Sequence, residues 1–349
     1  MIPYWSMWTI LLLAMLATPP RTPVPGFPVG PGFVAMIVAI CLMIGLRFEV
    51  GGDWLNYIEI FDWIQSRPLA DAGGRSDPGY TLFNVIAIWL GADIWLVNLL
   101  SAIPFAVGLF ALSRRQPEHW LALLVAFPYL VVVVAMGYTR QASAIGFVMI
   151  GLASYTRTGS IFRYLFWVAL AAAFHKTAML TVALVFMTSD QRRIVNLAIL
   201  VIAAIGLYFA ALGDSTDRLL TNYVGARYQS GGAAIRVSMC VVPGLLFLFL
   251  RKRFGFHPLE EKLWRNFSIA AILAAVALAT TPSSTAVDRI ALYLLPMQMV
   301  ILPRLAGYVL ETGTGRALVA SYSAAVLFVW LNFGTFSRAW IPYRFWFLA

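Results

Sequence analysis

Charge is scarce in this chain. Asp, Glu, Lys and Arg make up 11% of its 349 residues, against about 25% in ordinary soluble domains, and 61% are hydrophobic. No soluble core needs so many apolar runs, so the composition excludes an ordinary globular domain and defines an all-α polytopic membrane protein. Histidine is scarcer still. The three present lack ligand spacing, which argues against a structural metal, and no metal-binding residue is expected. The two cysteines, Cys41 and Cys240, each fall inside an apolar run, where they read as small packing residues rather than a disulfide. No Lys or Arg precedes the apolar stretch TILLLAMLA, so this stretch reads as a first membrane helix and not as a cleaved signal.

The charge that is present is mostly basic, with a formal net charge of +10. Nucleic acid is nevertheless rejected as a partner, because the basic residues sit in short loops between apolar spans, where topology places them. Candidate spans are 4–17, 33–46, 93–112, 120–136, 141–156, 162–174, 177–188, 194–212, 235–250, 267–281, 288–309 and 317–336. That makes about twelve transmembrane helices in a single domain, 1–349. Residues 47–92 then form an outer loop, in which 79–91 is a re-entrant or interfacial helix too short to cross. The connector 19–32 is rich in proline and glycine, hence not helical. There is no internal repeat.

Orientation follows from Lys and Arg. The loop 251–266 carries Arg251, Lys252, Arg253, Lys262 and Arg265, which puts it in the cytoplasm. Counting spans adds Arg21, 113–119, 156–163, 189–193 and the Arg304–Arg316 connection to that side. Both termini fall outside.

Against this bias, Arg140, Arg236 and Arg289 sit at outer helix ends, and Arg227 also lies outside. A charge near the bilayer is costly, and several guanidiniums facing one way suit a diphosphate, to which arginine offers a planar fork. A lone arginine can equally snorkel to headgroups; that reading loses ground for Arg47, Arg140 and Arg289, each of which has polar neighbours. His175, in AAAFHKTAML, reads as the tip of a hairpin formed by 162–174 and 177–188, either functional or a satisfied buried histidine. In RFEVGGDWLNYIEIFD (47–62), Gly51-Gly52 breaks a helix and Asp53 takes the N-cap position of the next. Trp54, Ile58, Phe61 and Ile64 recur at helical spacing, so this helix is expected along the interface with its aromatics among headgroups. Asp53 is either a simple cap or part of a site.

The stretch RFEVGGDWLNYIEIF resembles the R-x-x-V-G-x-D-x-x-x-Y signature of the EpsG-like family of membrane polysaccharide polymerases, related in role to Wzy O-antigen polymerases. Three further stretches follow in the family's order: YTRQASAIGFVMIGLASY with AAFHKTAML, then VDRIALYLLPMQMVILPRL, and AWIPYRFWF. At Gly52 the chain departs from the Thr or Ser usual there. The resemblance implies a GT-C-like helical bundle in the bacterial inner membrane, its active site facing the periplasm and needing no cofactor. It implies transfer of a growing glycan from undecaprenyl diphosphate to a sugar hydroxyl of an incoming lipid-linked repeat unit, with membrane lipid and a chain-length regulator as further partners. Under that reading Asp53 or His175 is the base. Arg47, Arg140 and Arg289 hold the diphosphate, with Gln141 and Arg344 beside them, and Tyr57 and Tyr343 stack on sugars. A glycan ligase would need the same residues. A flippase would spread polar groups through the spans, and His175 alone is poor support for an O-acyltransferase.

Overall fold

The computed structural model describes residues 1–19, 29–68, 76–188, 232–280 and 284–349. Among these residues the regular structure is helical, apart from an isolated antiparallel bridge between Arg47 and Phe345. The helices are α1 (Ile2–Ala17), α2 (Pro31–Gly45), α3 (Trp54–Gln65), α4 (Pro78–Trp89), α5 (Ile94–Ser113), α6 (His119–Ala126), α7 (Thr139–Thr158), α8 (Ile161–Ala172) and α9 (Leu180–Phe186). They continue as α10 (Ala233–Leu250), α11 (Pro258–Thr280), α12 (Ser284–Ala291), α13 (Gln298–Arg304) and α14 (Thr312–Phe333). The expected span at 194–212, Arg21, Arg227 and the loop 189–193 lie outside the described residues.

The described residues form an all-helical bundle and do not by themselves establish the expected count of about twelve crossing helices. Five described helices are long and apolar enough to cross: Ile94–Ser113, Ala233–Arg253, Pro258–Thr280, Ser284–Val309 and Thr312–Phe333. Five others are apolar but shorter: Ile2–Ala17, Pro31–Gly45, His119–Ala135, Ile161–Ala172 and Lys176–Phe186. At about 1.5 Å per residue, the twelve residues of α8 rise only about 18 Å, well short of a ~30 Å hydrocarbon layer.

Two helices form the centre. Every residue from Leu121 to Met136 and from Ala291 to Ala306 is buried, the mark of a helix apolar on all faces and enclosed by others. α14, by contrast, exposes Leu318, Phe328, Val329 and Phe333. Small residues set the closest approaches, as expected where lipid removes any hydrophobic drive between helices. A Cβ at Gly108 of α5 would strike the Gly146 carbonyl of α7, and one at Gly146 would strike the Pro104 carbonyl. The central helix widens to π turns over Phe127–Ala135, where Pro128 removes a backbone donor.

The bundle has two distinguishable ends. At one, Arg316 bonds the Thr18 carbonyl (2.9 Å) and Glu118 (2.7 Å), while Arg304 reaches Gln116, Glu260 and the Phe254 carbonyl. At the other, the end of α2 meets the starts of α5 and α7 through Arg47, which donates to Asn98 Oδ1 (3.2 Å) and Thr139 Oγ1 (2.7 Å). Because Arg47 touches Asn98, the chain is back at the same end by the start of α5, so α3 and α4 together make no net crossing. The C-terminal segment folds back over this end. Phe48 N donates to the Arg344 carbonyl (3.0 Å), Gly51 N to that of Ala339 (2.9 Å) and Trp346 N to that of Leu46 (2.8 Å). Gly51 has φ +116°, and a Cβ there would strike the Met136 carbonyl, so the tight turn requires glycine. Cys41 and Cys240 are free thiols.

Candidate active site

Five helix starts and one hairpin tip bring their polar residues to the Arg47 end. α3 begins at Asp53, α4 at Asp77 and α7 at Thr139–Gln141. The α8–α9 turn supplies His175–Thr177, α10 supplies Arg236, and α12 supplies Asp288 and Arg289.

Asp53 and Asp77 occupy N-cap positions, yet neither side chain makes a capping hydrogen bond. Asp93, at the start of α5, does cap, accepting from Ile94 N at 2.6 Å. Asp77 turns instead to Arg140, with Nη1 to Oδ2 at 3.1 Å. The Arg140 backbone N–H donates to the Tyr57 hydroxyl (3.5 Å), and its side-chain Nε is buried with no partner among the described residues. Gln141 Nε2 donates to the Arg289 carbonyl (2.6 Å), which ties α7 to α12. The Arg289 guanidinium lies 4.1 Å from the Tyr138 ring centre. Arg236 and Asp288 form a two-point ion pair, with Nη2 to Oδ2 at 2.7 Å.

His175 is held by Thr177, whose hydroxyl is 2.6 Å from Nδ1, and Thr177 in turn donates to the Tyr293 hydroxyl (3.4 Å). The hairpin tip reaches this cluster because Gly79 N donates to the Ala173 carbonyl (2.7 Å), while a Cβ at Gly79 would enter the Phe174 ring.

Burial, the largest influence on Asp53, holds its carboxyl above the usual carboxylate range, against the opposing pull of Arg289 and Arg140. Asp77 is raised for the same reason, opposed by Arg140 and Lys176. His175 is pushed down to about 4, first by burial and then by Arg140 and Arg289. Both arginines thus act on Asp53 and on His175, and the four belong to one electrostatic neighbourhood. Above that value His175 is a neutral imidazole, able to orient a hydroxyl but a weak base.

Of the residues singled out in the sequence, Asp53, His175, Arg140, Arg289, Tyr57 and Gln141 come together. Arg47 does not join them. It is 1% exposed, and besides Asn98 and Thr139 it donates to the Ile44 (2.6 Å) and Val50 (3.0 Å) carbonyls. Its guanidinium is engaged by the scaffold and stands apart from the Arg140–Arg289 cluster. Tyr343 is likewise turned away, donating to the Met43 carbonyl (2.9 Å) and packing edge-on against Tyr4. Arg344 pairs with Glu49 on the exposed surface. α3 also departs from expectation. Trp54, Tyr57, Ile60, Phe61 and Ile64 face protein rather than headgroups, with Phe48, Tyr80 and Trp346 packed against them.

The sequence reading gave no role to Asp77, Asp288, Thr177, Tyr138 or Tyr293. Asp77 precedes Pro78, which reads as an ordinary helix start. Among the described residues no group of three or more His, Cys, Asp or Glu could hold a metal ion.

A helical membrane bundle with an arginine–carboxylate–imidazole cluster at one end is the class that fold and site define. The chain matches the EpsG family over residues 32–345, and it belongs to that family, whose members are membrane proteins of the Wzy-type polymerase-like kind. No curated protein and no solved structure matches it.

Proposed function

We propose that this protein is a glycosyltransferase that extends a polysaccharide at the periplasmic face of the bacterial inner membrane. It uses an undecaprenyl-diphosphate-linked glycan as donor and an incoming lipid-linked repeat unit as acceptor. The observation that carries this reading is the convergence of Arg140 and Arg289 on a half-buried Asp53, whose side chain makes no capping bond, beside His175. In the reaction the bond between the anomeric carbon and the diphosphate oxygen breaks, and a bond from that carbon to the acceptor oxygen forms. The acceptor hydroxyl proton goes to the Asp53 carboxylate. The lipid diphosphate leaves with its developing charge facing Arg140 and Arg289, where fixed donors are worth most.

Asp53 is preferred to the other candidates on chemical grounds. Asp77 is engaged by Arg140, and His175 is a weak base that suits it to orienting the acceptor. Polar residues gathered at this end favour an enzyme over a flippase. A ligase would share the site and differ only in acceptor.

The test is to incubate the purified protein with the lipid-linked repeat unit alone and resolve the products by size. A ladder of lengths supports the polymerase. A single transfer to a foreign acceptor would make it a ligase, and no product from folded protein would remove the proposal.

A further inference from the structure

His175 stands at the tip of the α8–α9 hairpin with its backbone fixed on both sides. Its amide donates to the Ala171 carbonyl (2.9 Å), and its carbonyl accepts from Ala178 N (3.0 Å). The tight turn Lys176–Met179 that follows brings Thr177 back beside the imidazole, with its hydroxyl 2.6 Å from Nδ1. A ring turned over would put carbon Cδ2 in that place, and carbon stays about 3.3 Å or more from oxygen even in a weak hydrogen bond. The atom facing Thr177 is therefore Nδ1. On its other side Thr177 donates to the Tyr293 hydroxyl (3.4 Å). Tyr293 is 2% exposed, so its hydroxyl is a fixed target.

The count of protons then decides the tautomer. A threonine hydroxyl has one proton and two lone pairs. That proton goes to Tyr293, so toward His175 the hydroxyl can only accept. A neutral imidazole carries a single N–H, and His175 is neutral above about 4. The N–H is on Nδ1. Nε2 keeps its lone pair and has no hydrogen-bond partner among the described residues. It is not sealed in either, because His175 is half-buried and Nε2 remains open to solvent.

We infer that Thr177 and Tyr293 are positioning residues that hold His175 as the Nδ1–H tautomer, so that Nε2 accepts a hydrogen bond from a substrate hydroxyl. The tautomer rests on geometry alone, and the identity of the ligand rests on the polymerase reading above. The lone pair sorts the groups that a lipid-linked sugar presents. Diphosphate oxygens only accept, so Nε2 has nothing to give them and they fall to Arg140 and Arg289. The attacking hydroxyl has one proton, which goes to Asp53. Nε2 is left to a second hydroxyl of the incoming sugar, one that takes no part in the bond change. His175 thus fixes how that sugar sits, and Asp53 activates it.

The test observes the tautomer directly. Full-length protein whose histidine rings carry the heavy nitrogen isotope is studied by NMR in phospholipid nanodiscs at neutral pH, without substrate. The chain has three histidines, and His175→Gln identifies the signals. The expected result is a proton on His175 Nδ1 and none on Nε2. Tyr293→Phe keeps the ring and removes only the hydroxyl, which frees Thr177 to turn its proton toward Nδ1. The ratio of Nδ1–H to Nε2–H should then fall about two- to tenfold, the range of one neutral hydrogen bond. Thr177→Val should act alike, and Thr177→Ser should restore the ratio. A packing role alone would leave the ratio unmoved by Tyr293→Phe. In chain extension both losses should raise KM for the incoming lipid-linked unit with kcat within about twofold, the mark of binding lost equally from ground and transition states. If the variants fail to insert, the tautomer of the unaltered protein decides alone. An Nε2–H tautomer there, or a ratio indifferent to Tyr293→Phe, would overturn the inference. A loss confined to kcat would move His175 into the chemistry and overturn the choice of hydroxyl. The expected tautomer in a protein that makes no glycan ladder would keep the Thr177–Tyr293 relay and lose the polymerase.

Discussion

The two ends of the bundle use the same side chains for opposite purposes. At the end that gathers 113–119, 251–261 and the Arg304–Arg316 connection, Arg115, Arg251, Arg304 and Arg316 each meet a carboxylate. Arg115 and Arg304 share Glu260, and Arg316 has Glu118. Arg304 is 5% exposed and stacks 4.0 Å from the Phe256 ring centre. At the other end, Asp77 and Asp288 neutralise Arg140 and Arg236, but among the described residues Arg289 enters no ion pair and Asp53 accepts no capping bond. A closed network resists change because any loss strands a buried charge. An open one holds groups in position without satisfying them, which a fold tolerates where a ligand completes the set.

The comparison fails most visibly if Asp53 can be dispensed with. Asp53→Asn keeps size and capping ability, since both residues are good N-caps. As the base, it should slow chain extension by about 10²–10⁴-fold in protein that still inserts and folds. A near-wild-type ladder from this variant would end the assignment. The pH profile sharpens the point. The base must be deprotonated, and burial raises the Asp53 pKa, so kcat/KM should fall on acidification at a higher pH than an exposed aspartate would give. An acid limb at or below the ordinary aspartate value of about 3.9 would count against Asp53 as the base.

Arg140→Lys and Arg289→Lys come next. Each keeps a positive charge and loses the fork, so a fall of about 10²–10³-fold in kcat is expected, with residual activity. Equal activity with lysine would mean that only net charge is used. At the closed end the effect should move from rate to stability. Arg316→Met strands Glu118, which is 4% exposed, and should cost about 3–5 kcal/mol of stability, read as a drop in detergent-solution melting temperature. The surviving folded protein should turn over normally. A selective loss of kcat there would erase the division between the ends. The smallest effect belongs to Arg344→Ala. Its pair with Glu49 is about half exposed on both sides, so less than about 1 kcal/mol and little change in rate are expected.

Which charges would gather was legible in the sequence, because an arginine at an outer helix end violates the topological bias and demands a reason. Arg140, Arg289 and His175 showed this individually. How each side chain would be spent was not legible. Arg47 looks the same in sequence as Arg140, yet its own neighbours Ile44 and Val50 present carbonyls within reach, and Asn98 and Thr139 arrive only through tertiary packing. Asp77 was hidden by the opposite effect, since Asp before Pro is a normal helix start and its diversion to Arg140 depends on α7. Helix ends were less legible, because composition marks apolar segments without revealing where each helix stops, and α8 ends at Ala172 and α9 at Phe186.

The segment 337–346 is made after every helix it locks. Trp340 donates to the Val132 carbonyl (2.6 Å) in the widened central helix and accepts at its own carbonyl from Tyr4 (2.7 Å), across 336 residues of sequence. Contacts of such separation form late, because the loop they close must first exist. The turn at Gly51, two residues before Asp53, therefore gains its bond to the Ala339 carbonyl only after the helices that precede residue 337 have been made. A nascent chain that has not reached Ser337 would carry Arg140, Arg289 and Asp53 without that brace. In such a chain, the order of manufacture delays the bracing of the turn that carries Asp53.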